Sequence, residues 1–526
     1  MCINLYVFTA PHYSFMHEAT KAPKISFYDY IVIGGGAAGI PIATTLSAKY
    51  SVLLLERGGS PYMNTNITSI FGFGNNFEDN SADSPSQKFT STEGVINTRA
   101  RVLGGGTSIN AGFYSRGEAQ FNKEARLTDE KLILQSYEWV EKVMAFEPAE
   151  QKWPSAVRAA LVEAGVKPDN GFTYDHIIGT KVGGSIFDNN GTRHTAADLL
   201  QYANPKGLSV LLYATVHKIL FKTRGRSRPL AYGIMFKDSI GNKHVAYLNG
   251  GKKDEIILSA GALGSPQLLM LSGIGPRKQL DDLKIKVVLD QPFIGQGMAD
   301  NPLNAVFIPS PIAVDPSGVQ IAGITRFGSY IEATGGVNFV YTKSPNYQGF
   351  SPQMGGFIFE KINGPLSMGE LKIENRNPAE NPLVTFNYFK EPKDLRKCVE
   401  GVRTILKAVE SKAFSNYKYA NMTVQDIINI NMKLQGDDLV SDKKSPSLEQ
   451  YCKDTKRTMW HYHGGCRIGK VVDYEYKVVG LDALRVIDGS TILNSPGTNP
   501  QASVLMLGRY MGVTILGQRV ADDKSQ

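Results

Sequence analysis

The sequence has few cysteines and lacks a long apolar run. Four of its 526 residues are cysteine, and no two form a CxxC pair, so neither a zinc site nor a thioredoxin-like motif is expected. No uninterrupted apolar stretch reaches the roughly 20 residues that a membrane-spanning helix requires. Charged residues make up only 20% of a chain that is 42% hydrophobic, which excludes an intrinsically disordered protein.

The sequence also has little excess charge. The 57 Lys and Arg residues exceed the 49 Asp and Glu residues by only eight. The densest basic run, residues 222–228, lies between two strand-like segments and is typical of a solvated hairpin turn, so we expect no nucleic-acid partner.

His12, His17 and His244 fall in a tail or in polar loops and predict no metal site. The length predicts one large domain or two closely joined domains.

Signals for secretion are sparse in the residues themselves. The apolar segment 1–10 is short and lacks a basic start, which is typical of a weak or truncated secretion signal. Sequons at Asn66, Asn190 and Asn421 permit glycosylation but also arise by chance in a long chain.

Two of the four cysteines could pair. Cys398 and Cys452 either form a disulfide or remain two reduced core thiols, and the residues alone favour neither. A disulfide between them would stabilise the fold by about 4 kcal/mol according to the chain-entropy relation.

Glycine is abundant, with 53 residues, and it falls in clusters. In the first cluster, residues 30–33 are typical of a buried strand, which leads into Gly34-x-Gly36-x-x-Gly39 and a helical pattern. This arrangement predicts a tight turn at Gly34, a close pyrophosphate at Gly36 and close helix–strand contact at Gly39. A second strand ends at Glu56, whose carboxylate is placed to accept hydrogen bonds from ribose hydroxyls. Together these features predict a dinucleotide-binding site.

The second glycine cluster spans residues 99–117. Its consecutive glycines are followed by Thr107, Ser108 and Asn110, which offer donors to a heterocycle or a phosphate. A Gly-rich turn with satisfied hydroxyls would have the same pattern.

The third cluster follows a predicted strand at residues 256–258. We expect Ser265 to cap a short helix, Pro266 to occupy its first position and Gly273 to end it. The segment would bring backbone close to whatever the first cluster binds, although a purely structural turn is a fair alternative.

Taken together, the three clusters resemble the glucose–methanol–choline (GMC) oxidoreductases, which bind FAD. The resemblance runs from about Tyr28 to near Val520 and includes both signature stretches of the family. Residues 460–466 and 495–501 most resemble the plant branch with the HOTHEAD proteins and the hydroxynitrile (mandelonitrile) lyases. The resemblance implies an α/β fold with a Rossmann-like FAD-binding domain and an α+β substrate-binding domain built on an antiparallel sheet. It assigns residues 27–120, 200–305 and 455–526 to the FAD-binding domain, and 121–199 and 306–454 to substrate-domain or lid segments.

The resemblance also implies how the cofactor is held. Ile109 stands where some members carry a histidine bonded to the flavin, so FAD should be bound non-covalently. Cysteines that match Cys398 and Cys452 are paired in the plant lyases, which favours a disulfide, a secretory route and an extracellular glycoprotein. The motifs and the resemblance together predict cofactor contacts from Gly34, Gly36, Ala37, Ala38, Gly39, Glu56, Arg57, Val102, Gly105, Gly106, Thr107, Asn110, Ala111, Val216, Trp460, His461, Asp488, Gly489, Asn499, Pro500 and Gln501.

Alcohol oxidation needs a base for the hydroxyl proton, and histidine suits this role. The family alignment puts His461 at the catalytic position and leaves His463 a structural role. Asn499 matches the second catalytic position, and it also has the properties of a helix N-cap followed by Pro500. A helix N-terminus aimed at the flavin would favour a developing alkoxide.

Asn499 separates two functions. The plant lyases that this chain resembles place a histidine there, whereas HOTHEAD proteins carry the same Thr-Asn-Pro-Gln run and are associated with oxidation of ω-hydroxy fatty acids. We therefore expect oxidation of an apolar alcohol, such as a long-chain ω-hydroxy fatty acid or fatty alcohol, to the aldehyde, by a monomer. A mandelonitrile lyase that uses FAD structurally and a non-catalytic flavin-binding cell-surface protein are the alternatives. Aromatic residues for the substrate wall or the core are Phe307, Phe327, Tyr330, Phe339, Tyr341, Phe357 and Phe359.

Overall fold

The structure, a computed structural model, describes residues 11–79, 81, 83–336, 354–434 and 446–525. The strands are β1 Met16–Glu18, β2 Ile25–Tyr28, β3 Tyr30–Ile33, β4 Val52–Leu55, β5 Ser86–Thr90, β6 Ile96–Ala100, β7 Phe113–Tyr114, β8 Asp169–Phe172, β9 Gly179–Val182, β10 Gly184–Ser185, β11 Leu208–Leu212, β12 Thr215–Lys222, β13 Leu230–Lys237, β14 Lys243–Leu248, β15 Glu255–Leu258, β16 Ile274–Gly275, β17 Leu289–Asp290, β18 Gln296–Met298, β19 Pro302–Pro309, β20 Ile321–Ile324, β21 Ser329–Gly335, β22 Gly355–Ile362, β23 Gly369–Lys372, β24 Leu383–Thr385, β25 Lys456–Thr458 and β26 Leu484–Val486. The α-helices are α1 Gly39–Leu46, α2 Thr65–Thr68, α3 Phe73–Glu78, α4 Ala119–Glu124, α5 Glu130–Met144, α6 Lys152–Glu163, α7 Gly261–Leu271, α8 Arg277–Asp282, α9 Pro392–Val409, α10 Val424–Lys433, α11 Leu448–Asp454 and α12 Gln501–Ser525. Short 3₁₀ helices include Gly105–Ser108, Ala196–Tyr202 and Gly489–Thr491.

A six-stranded sheet carries the first core. Its strand order is β1-β11-β4-β3-β15-β26, and all neighbours are parallel. The strands β3, β4 and β15 are buried throughout, which is why their sequences are continuous apolar runs rather than alternating ones. Helices α1 and α12 pack against each other on this core. The predicted strand at residues 30–33 and the helix from Gly39 are confirmed.

A smaller four-stranded sheet has the order β12-β13-β14-β2. The strands β12 and β13 pair antiparallel, and the basic run at residues 222–228 includes the turn between them. The prediction of a hairpin turn for that run is therefore confirmed.

The second core lies on a seven-stranded sheet of order β25-β19-β22-β21-β20-β9-β8. Its neighbours are antiparallel except β8 and β9, and helices α6 and α9 pack on it. Cys398 in α9 and Cys452 in α11 form a disulfide within this core. The parallel sheet and the mainly antiparallel sheet confirm the predicted fold class.

Residues 121–199 contribute to both cores. Helix α5 packs against α12 on the parallel-sheet side, whereas α6 packs against β20 and β21 of the seven-stranded sheet. The strand β25 joins the seven-stranded sheet just before the chain returns to the parallel sheet at β26.

The expected helix in the third glycine cluster starts earlier than predicted. Helix α7 begins at Gly261, and Pro266 lies inside it instead of at its first position. The Gly261 N–H group donates to the carboxylate of Asp488, which lies 227 residues further along the chain. Ser265 does not cap the helix because its hydroxyl donates to the same carboxylate. The helix ends at Leu271, just before Gly273, as predicted.

Several other sequence features can be located. No helix among the described residues is long and apolar enough to cross a membrane. The sequon residues Asn190 and Asn421 are exposed. Phe307, Phe357 and Phe359 pack together in a small buried cluster. The segment 1–10 and two of the predicted wall aromatics, Phe339 and Tyr341, lie outside the described residues.

Candidate active site

A cavity of about 360 Å³ opens at the carboxyl ends of the parallel strands. Segments that follow β3, β4, β15 and β26 form its walls, together with the Gly-rich loop after β6. Except for Gly39, all the residues predicted to contact a cofactor line it, namely Gly34, Gly36, Ala37, Ala38, Glu56, Arg57, Val102, Gly105, Gly106, Thr107, Asn110, Ala111, Val216, Trp460, His461, Asp488, Gly489, Asn499, Pro500 and Gln501.

The glycines divide into those that pack against protein and those that face the cavity. A Cβ on Gly34 would lie 2.3 Å from the Ser259 carbonyl oxygen, and one on Gly39 would lie 2.0 Å from the Gly34 carbonyl oxygen. These two residues allow the turn and the close helix–strand contact. By contrast, a Cβ on Gly106 would meet no described atom within 4 Å. The cavity is thus lined by bare backbone, which fits the close approach of a dinucleotide.

Glu56 supplies a buried carboxylate to the cavity wall. Its Oε2 accepts the Gly35 N–H at 3.0 Å and its Oε1 accepts the Gly58 N–H at 2.8 Å. Burial raises the pKa of Glu56, although these hydrogen bonds oppose the shift. Each oxygen keeps a lone pair, so the carboxylate can still accept hydroxyl groups of a ligand.

The polar side chains of the second glycine cluster are used mainly within the protein. The Thr107 hydroxyl donates to the Gly104 carbonyl at 2.7 Å. The Ser108 hydroxyl donates to the Leu103 carbonyl at 2.8 Å, and Asn110 donates to Gln501 at 2.8 Å. This loop therefore offers a ligand backbone rather than side-chain hydroxyls.

Asp488 is likewise committed to protein contacts. Besides capping α7, its Oδ1 accepts the Ser490 N–H group at 2.7 Å. The carboxylate joins the end of β26 to the start of α7, and both segments border the cavity.

Sequence reasoning missed a buried cation beside the cavity. The Arg99 guanidinium donates to Gln267 at 3.1 Å and to the Glu380 carbonyl at 3.2 Å. Its position in the basic start of the second glycine cluster, beside Arg101, could have indicated it. Ile109 and residues 260–264, which the sequence placed near the cofactor, also line the cavity. Other lining residues that were not predicted are Ile33, Leu55, Thr98, Ala100, Gly112, Phe113, Ala214, Thr215, Ser259, Gln267, Leu268, Leu271, Pro378, Met459, Tyr462 and Val504.

The turn that carries His461 has an unusual backbone conformation. Trp460 has φ of 58°, in the left-handed region that a non-glycine residue rarely adopts. Its N–H group donates to the Thr458 hydroxyl oxygen at 2.7 Å. The next N–H group, that of His461, donates to Asp300 Oδ1 at 3.1 Å, and the Tyr388 hydroxyl donates to the other carboxylate oxygen. Side chains outside the turn therefore hold it.

The two histidines of this segment have different environments. His461 lines the cavity, and its buried Nδ1 has no hydrogen-bond partner among the described residues. His463 lies behind it, with Nδ1 3.0 Å from the His461 carbonyl oxygen. Burial lowers the pKa of His463 to about 4. Burial, and next the charge of Lys361, lower the pKa of His461 well below its usual range, so this imidazole is neutral and can accept a proton.

Asn499 borders the same cavity but does not cap a helix. Its buried Oδ1 lacks a hydrogen-bond partner in the described part of the chain, and α12 begins two residues later at Gln501. The Pro500 carbonyl accepts the Val504 N–H group at 2.9 Å and starts the helical pattern. The expectation of a capping side chain is therefore wrong, because the side-chain oxygen that a cap would use accepts no hydrogen bond there.

None of the predicted substrate-wall aromatics that the structure describes lines the cavity. Of those that the structure describes, Phe307, Tyr330, Phe357 and Phe359 are buried, and Phe327 is 41% exposed. They therefore belong to the packing and the surface of the seven-stranded sheet.

Comparison with known proteins gives one consistent result. The sequence patterns described as GMC oxidoreductase match residues 28–303 and 365–508. The chain is 49% identical to protein HOTHEAD of Arabidopsis thaliana, across 94% of this chain and 89% of the relative. It is 44% identical to the (R)-mandelonitrile lyase-like protein of the same plant, across 96% and 93% of the two chains.

Two further matches extend the comparison. The sinalpyl alcohol oxidase Nec3 of Nesocodon mauritianus is 44% identical, with 97% of this chain and 92% of the relative covered. The crystal structure of pyridoxine 4-oxidase from Mesorbium loti is 20% identical and has a TM-score of 0.77, with 92% of this chain and 98% of that chain covered. At this identity the structural match supports the fold alone.

Proposed function

The chain belongs to the GMC oxidoreductase family, and from this premise we propose that it is an FAD-dependent alcohol oxidoreductase. Its proposed substrate is a long-chain ω-hydroxy fatty acid or fatty alcohol, which it converts to the aldehyde. The observation that carries the proposal is that a neutral histidine, His461, and an uncharged amide, Asn499, border one cavity lined by glycine backbone.

The proposed cofactor contacts follow the cavity from end to end. Glu56 and Val216 would hold the adenosine part, because Glu56 is an acceptor and Val216 is an apolar surface. Gly36 and Gly489 would lie beside the pyrophosphate, where only backbone leaves room. The loop with Ile109 would face the flavin. Isoleucine has no nucleophilic atom, so we propose non-covalent binding.

The proposed reaction removes a hydride from the carbinol carbon and a proton from its hydroxyl. FAD, when bound, supplies the acceptor for the hydride and its two electrons. The neutral imidazole of His461 accepts the hydroxyl proton, and the carbon–oxygen bond becomes a carbonyl. The Asn499 amide can donate to the substrate oxygen while its charge develops, but it cannot act as a base.

Asn499 is also the observation that separates oxidation from a lyase reaction. An uncharged amide provides a hydrogen bond but no positive charge for a cyanide ion. The low pKa of His461 acts in the same direction, because a neutral imidazole binds an anion poorly. Mandelonitrile cleavage is therefore the alternative outcome of the test.

Anaerobic mixing with an ω-hydroxy fatty acid tests the proposal. We expect bleaching of the oxidised flavin absorbance and one equivalent of aldehyde per flavin. A fatty acid of equal length without the terminal hydroxyl is the matched control and should leave the spectrum unchanged. Flavin that stays oxidised with every alcohol would refute oxidation, and release of benzaldehyde and cyanide from mandelonitrile would establish the lyase.

A variant pair tests the assigned base. His461→Ala should abolish turnover while FAD remains bound, because the side chain that accepts the proton is removed. His17→Ala alters an exposed histidine of β1 and serves as the control. Undiminished turnover of the first variant would remove His461 from the mechanism.

Two further properties remain part of the proposal. We propose that residues 27–120, 200–305 and 455–526 form the FAD-binding domain and that 121–199 and 306–454 form the substrate-binding part. We further propose a monomeric glycoprotein that follows a secretory route. The Cys398–Cys452 disulfide supports the secretory route, because disulfides persist in oxidising compartments.

A further inference from the structure

The four-stranded sheet has an apolar face that points away from the first core. Its buried face includes Ile219, Ile234 and Ala246, which lie opposite one another and are fully buried. The adjacent residues of each strand point to the other side, because successive side chains alternate along a strand. Two cross-strand rows on that side consist of Ile25, Val245, Met235 and Lys218, and of Phe27, Tyr247, Gly233 and Leu220.

This outer face departs from the usual pattern of a solvated sheet. A sheet with one face in water normally carries polar residues on that face. Here the two rows are apolar except for Lys218. They reach the surface at β2, where Ile25 is 57% exposed and Phe27 is 59% exposed. Contiguous exposed apolar side chains indicate a site of interaction with another surface.

Aromatic rings pack side by side on this face. The ring centres of Phe27 and Tyr247 are 5.6 Å apart. Tyr232 stacks on Tyr247 with ring centres 5.8 Å apart and planes inclined by 8°. Rings that already pack on one another lose little freedom when a partner covers them, so the face is formed before it binds.

Basic residues surround the apolar rows. Strands β2, β12, β13 and β14 contain no Asp or Glu. The strands and the hairpin turn between β12 and β13 contribute Lys218, Lys222, Lys237, Lys243, Arg224, Arg226 and Arg228. Of these, Arg226 pairs with Asp482 at 3.1 Å. Asp238, in the turn between β13 and β14, is buried against His244. The outer face therefore has a positive rim.

Two of these lysines lie directly opposite each other. Lys237 on β13 pairs with Lys243 on β14, two residues beyond Met235 and Val245 and on the same face. Like charges at opposed positions of a sheet repel each other and destabilise the pair. An anionic surface above the face would relieve this repulsion, so the arrangement favours a negatively charged partner.

We propose that this outer face, which comprises the two rows, Tyr232 and the basic rim, docks the protein on a lipid bilayer that carries anionic headgroups. The apolar side chains would enter the boundary between headgroups and acyl chains, and the lysines would contact the acidic headgroups. The inference goes beyond the proposed reaction and does not depend on it.

The chemistry of the face favours a bilayer over other anionic partners. Ile25, Val245 and Met235 have no hydrogen-bonding group in their side chains, so a polysaccharide laid across them would leave its own polar groups unpaired. A second copy of the chain, docked by the same face, would bring the two basic rims together. An anionic bilayer supplies both an apolar boundary and negative charge.

Co-sedimentation of the holoprotein with vesicles tests the proposal. We expect binding to vesicles of phosphatidylcholine and phosphatidylserine in a ratio of about 3:1 and no binding to phosphatidylcholine alone. A rise in NaCl from about 0.05 to about 0.5 M should weaken the binding at least tenfold, because salt screens exposed charges. Absence of binding to the mixed vesicles, or equal binding to both kinds, would overturn the proposal.

A charge-reversal variant locates the contact. Each basic residue near an anionic surface strengthens binding about fivefold, so Lys218→Glu/Lys222→Glu should weaken binding to the mixed vesicles at least about 25-fold. Lys131→Glu/Lys142→Glu is the matched control, because it changes the net charge equally at two exposed lysines of α5. We expect the control to bind within about threefold of the wild type. An equal loss in both variants would remove the contact from this face.

An apolar variant tests the insertion of side chains. Ile25→Ser/Phe27→Ser should weaken binding at least about tenfold, because apolar surface that the bilayer would cover is lost. Ile96→Ser/Leu134→Ser alters two exposed apolar residues of β6 and α5 and should bind like the wild type. Flavin content and the thermal midpoint confirm that each variant is folded. Undiminished binding of Ile25→Ser/Phe27→Ser would contradict the proposal.

Two further measurements distinguish the other occupants. Binding to immobilised polygalacturonate without binding to the mixed vesicles would assign the face to an acidic polysaccharide. A dimer in sedimentation velocity that Ile25→Ser/Phe27→Ser dissociates would assign the face to a second copy. Either result would overturn the bilayer proposal. Because no assay here measures turnover, a protein that oxidises no alcohol would fail the proposed function and still allow this test.

Discussion

Replacing Asp300 with Asn tests how the turn that carries His461 is held. Asp300 is buried, and its carboxylate accepts the His461 N–H group and the Tyr388 hydroxyl. Burial nevertheless raises the pKa of Asp300 from 3.8 to about 6, so the folded protein holds the ionised group less favourably than water does. This difference in pKa corresponds to about 3 kcal/mol against folding when the carboxylate is ionised.

Asparagine keeps the shape and one acceptor oxygen but carries no charge. Its NH₂ group replaces the oxygen that receives the Tyr388 hydroxyl, and loss of that hydrogen bond costs about 1 kcal/mol. Removal of the charge outweighs this loss. We therefore expect the free energy of unfolding of Asp300→Asn to exceed that of the wild type by about 2 kcal/mol at pH well above 6.

The sign of the pH dependence follows from the direction of the shift. Because the folded pKa exceeds the unfolded one, protonation of Asp300 stabilises the wild type as the pH falls from about 6 toward 4. The advantage of the variant should disappear over this range. Urea unfolding of both holoproteins, followed by circular dichroism at several pH values, measures the difference, and the other titrating groups cancel between the two proteins. A variant that is less stable at alkaline pH, or a difference independent of pH, would refute the reasoning.

Three further predictions concern the cavity, the base and the disulfide. Gly106→Ala should weaken FAD binding with little change in apoprotein stability, because its Cβ would enter the cavity; FAD titration measures this effect. Gly39→Ala should prevent folding, because its Cβ would lie 2.0 Å from the Gly34 carbonyl oxygen, and the yield of folded protein measures this effect. The acid limb of kcat/KM that belongs to His461 should lie well below pH 6.5, because burial lowers the pKa of this base, and a limb at the ordinary histidine value would contradict its assignment. Replacing Cys398 and Cys452 by Ser should lower the free energy of unfolding by about 4 kcal/mol, since the disulfide closes a loop of 54 residues; chemical denaturation measures this loss, and an unchanged midpoint would contradict it.

Local patterns predicted the elements whose causes lie within a few residues. The apolar run at residues 30–33 forms β3, because a strand buried on both faces of a parallel sheet is apolar throughout. The helix begins at Gly39, after a turn of small residues that lets the helix lie close to the strand. The hairpin turn at 222–228 followed from the same kind of local information. None of these three predictions depends on a residue that is distant in the sequence.

Predictions failed where the partner of a local group lies far along the chain. Ser265 has the properties of an N-cap, but Asp488 caps α7 and takes the Ser265 hydroxyl as well. Asn499 also has the properties of an N-cap, yet its side-chain oxygen accepts no hydrogen bond among the described residues, and α12 begins two residues later. Cap preferences describe only the neighbouring residues, so a tertiary contact can override them.

The sequence by itself determined the parallel-sheet motif, the family and the small set of residues around the proposed FAD site. The parallel-sheet motif follows from glycine spacing and strand patterns, which operate over tens of residues, whereas the family and site residues such as His461 and Asn499 follow from the resemblance to known sequences. Only the tertiary structure decided the electrostatics of that site. Asp300 and Lys361 carry no local motif, and they affect His461 because the fold buries both of them near the cavity, where charges interact strongly for lack of water.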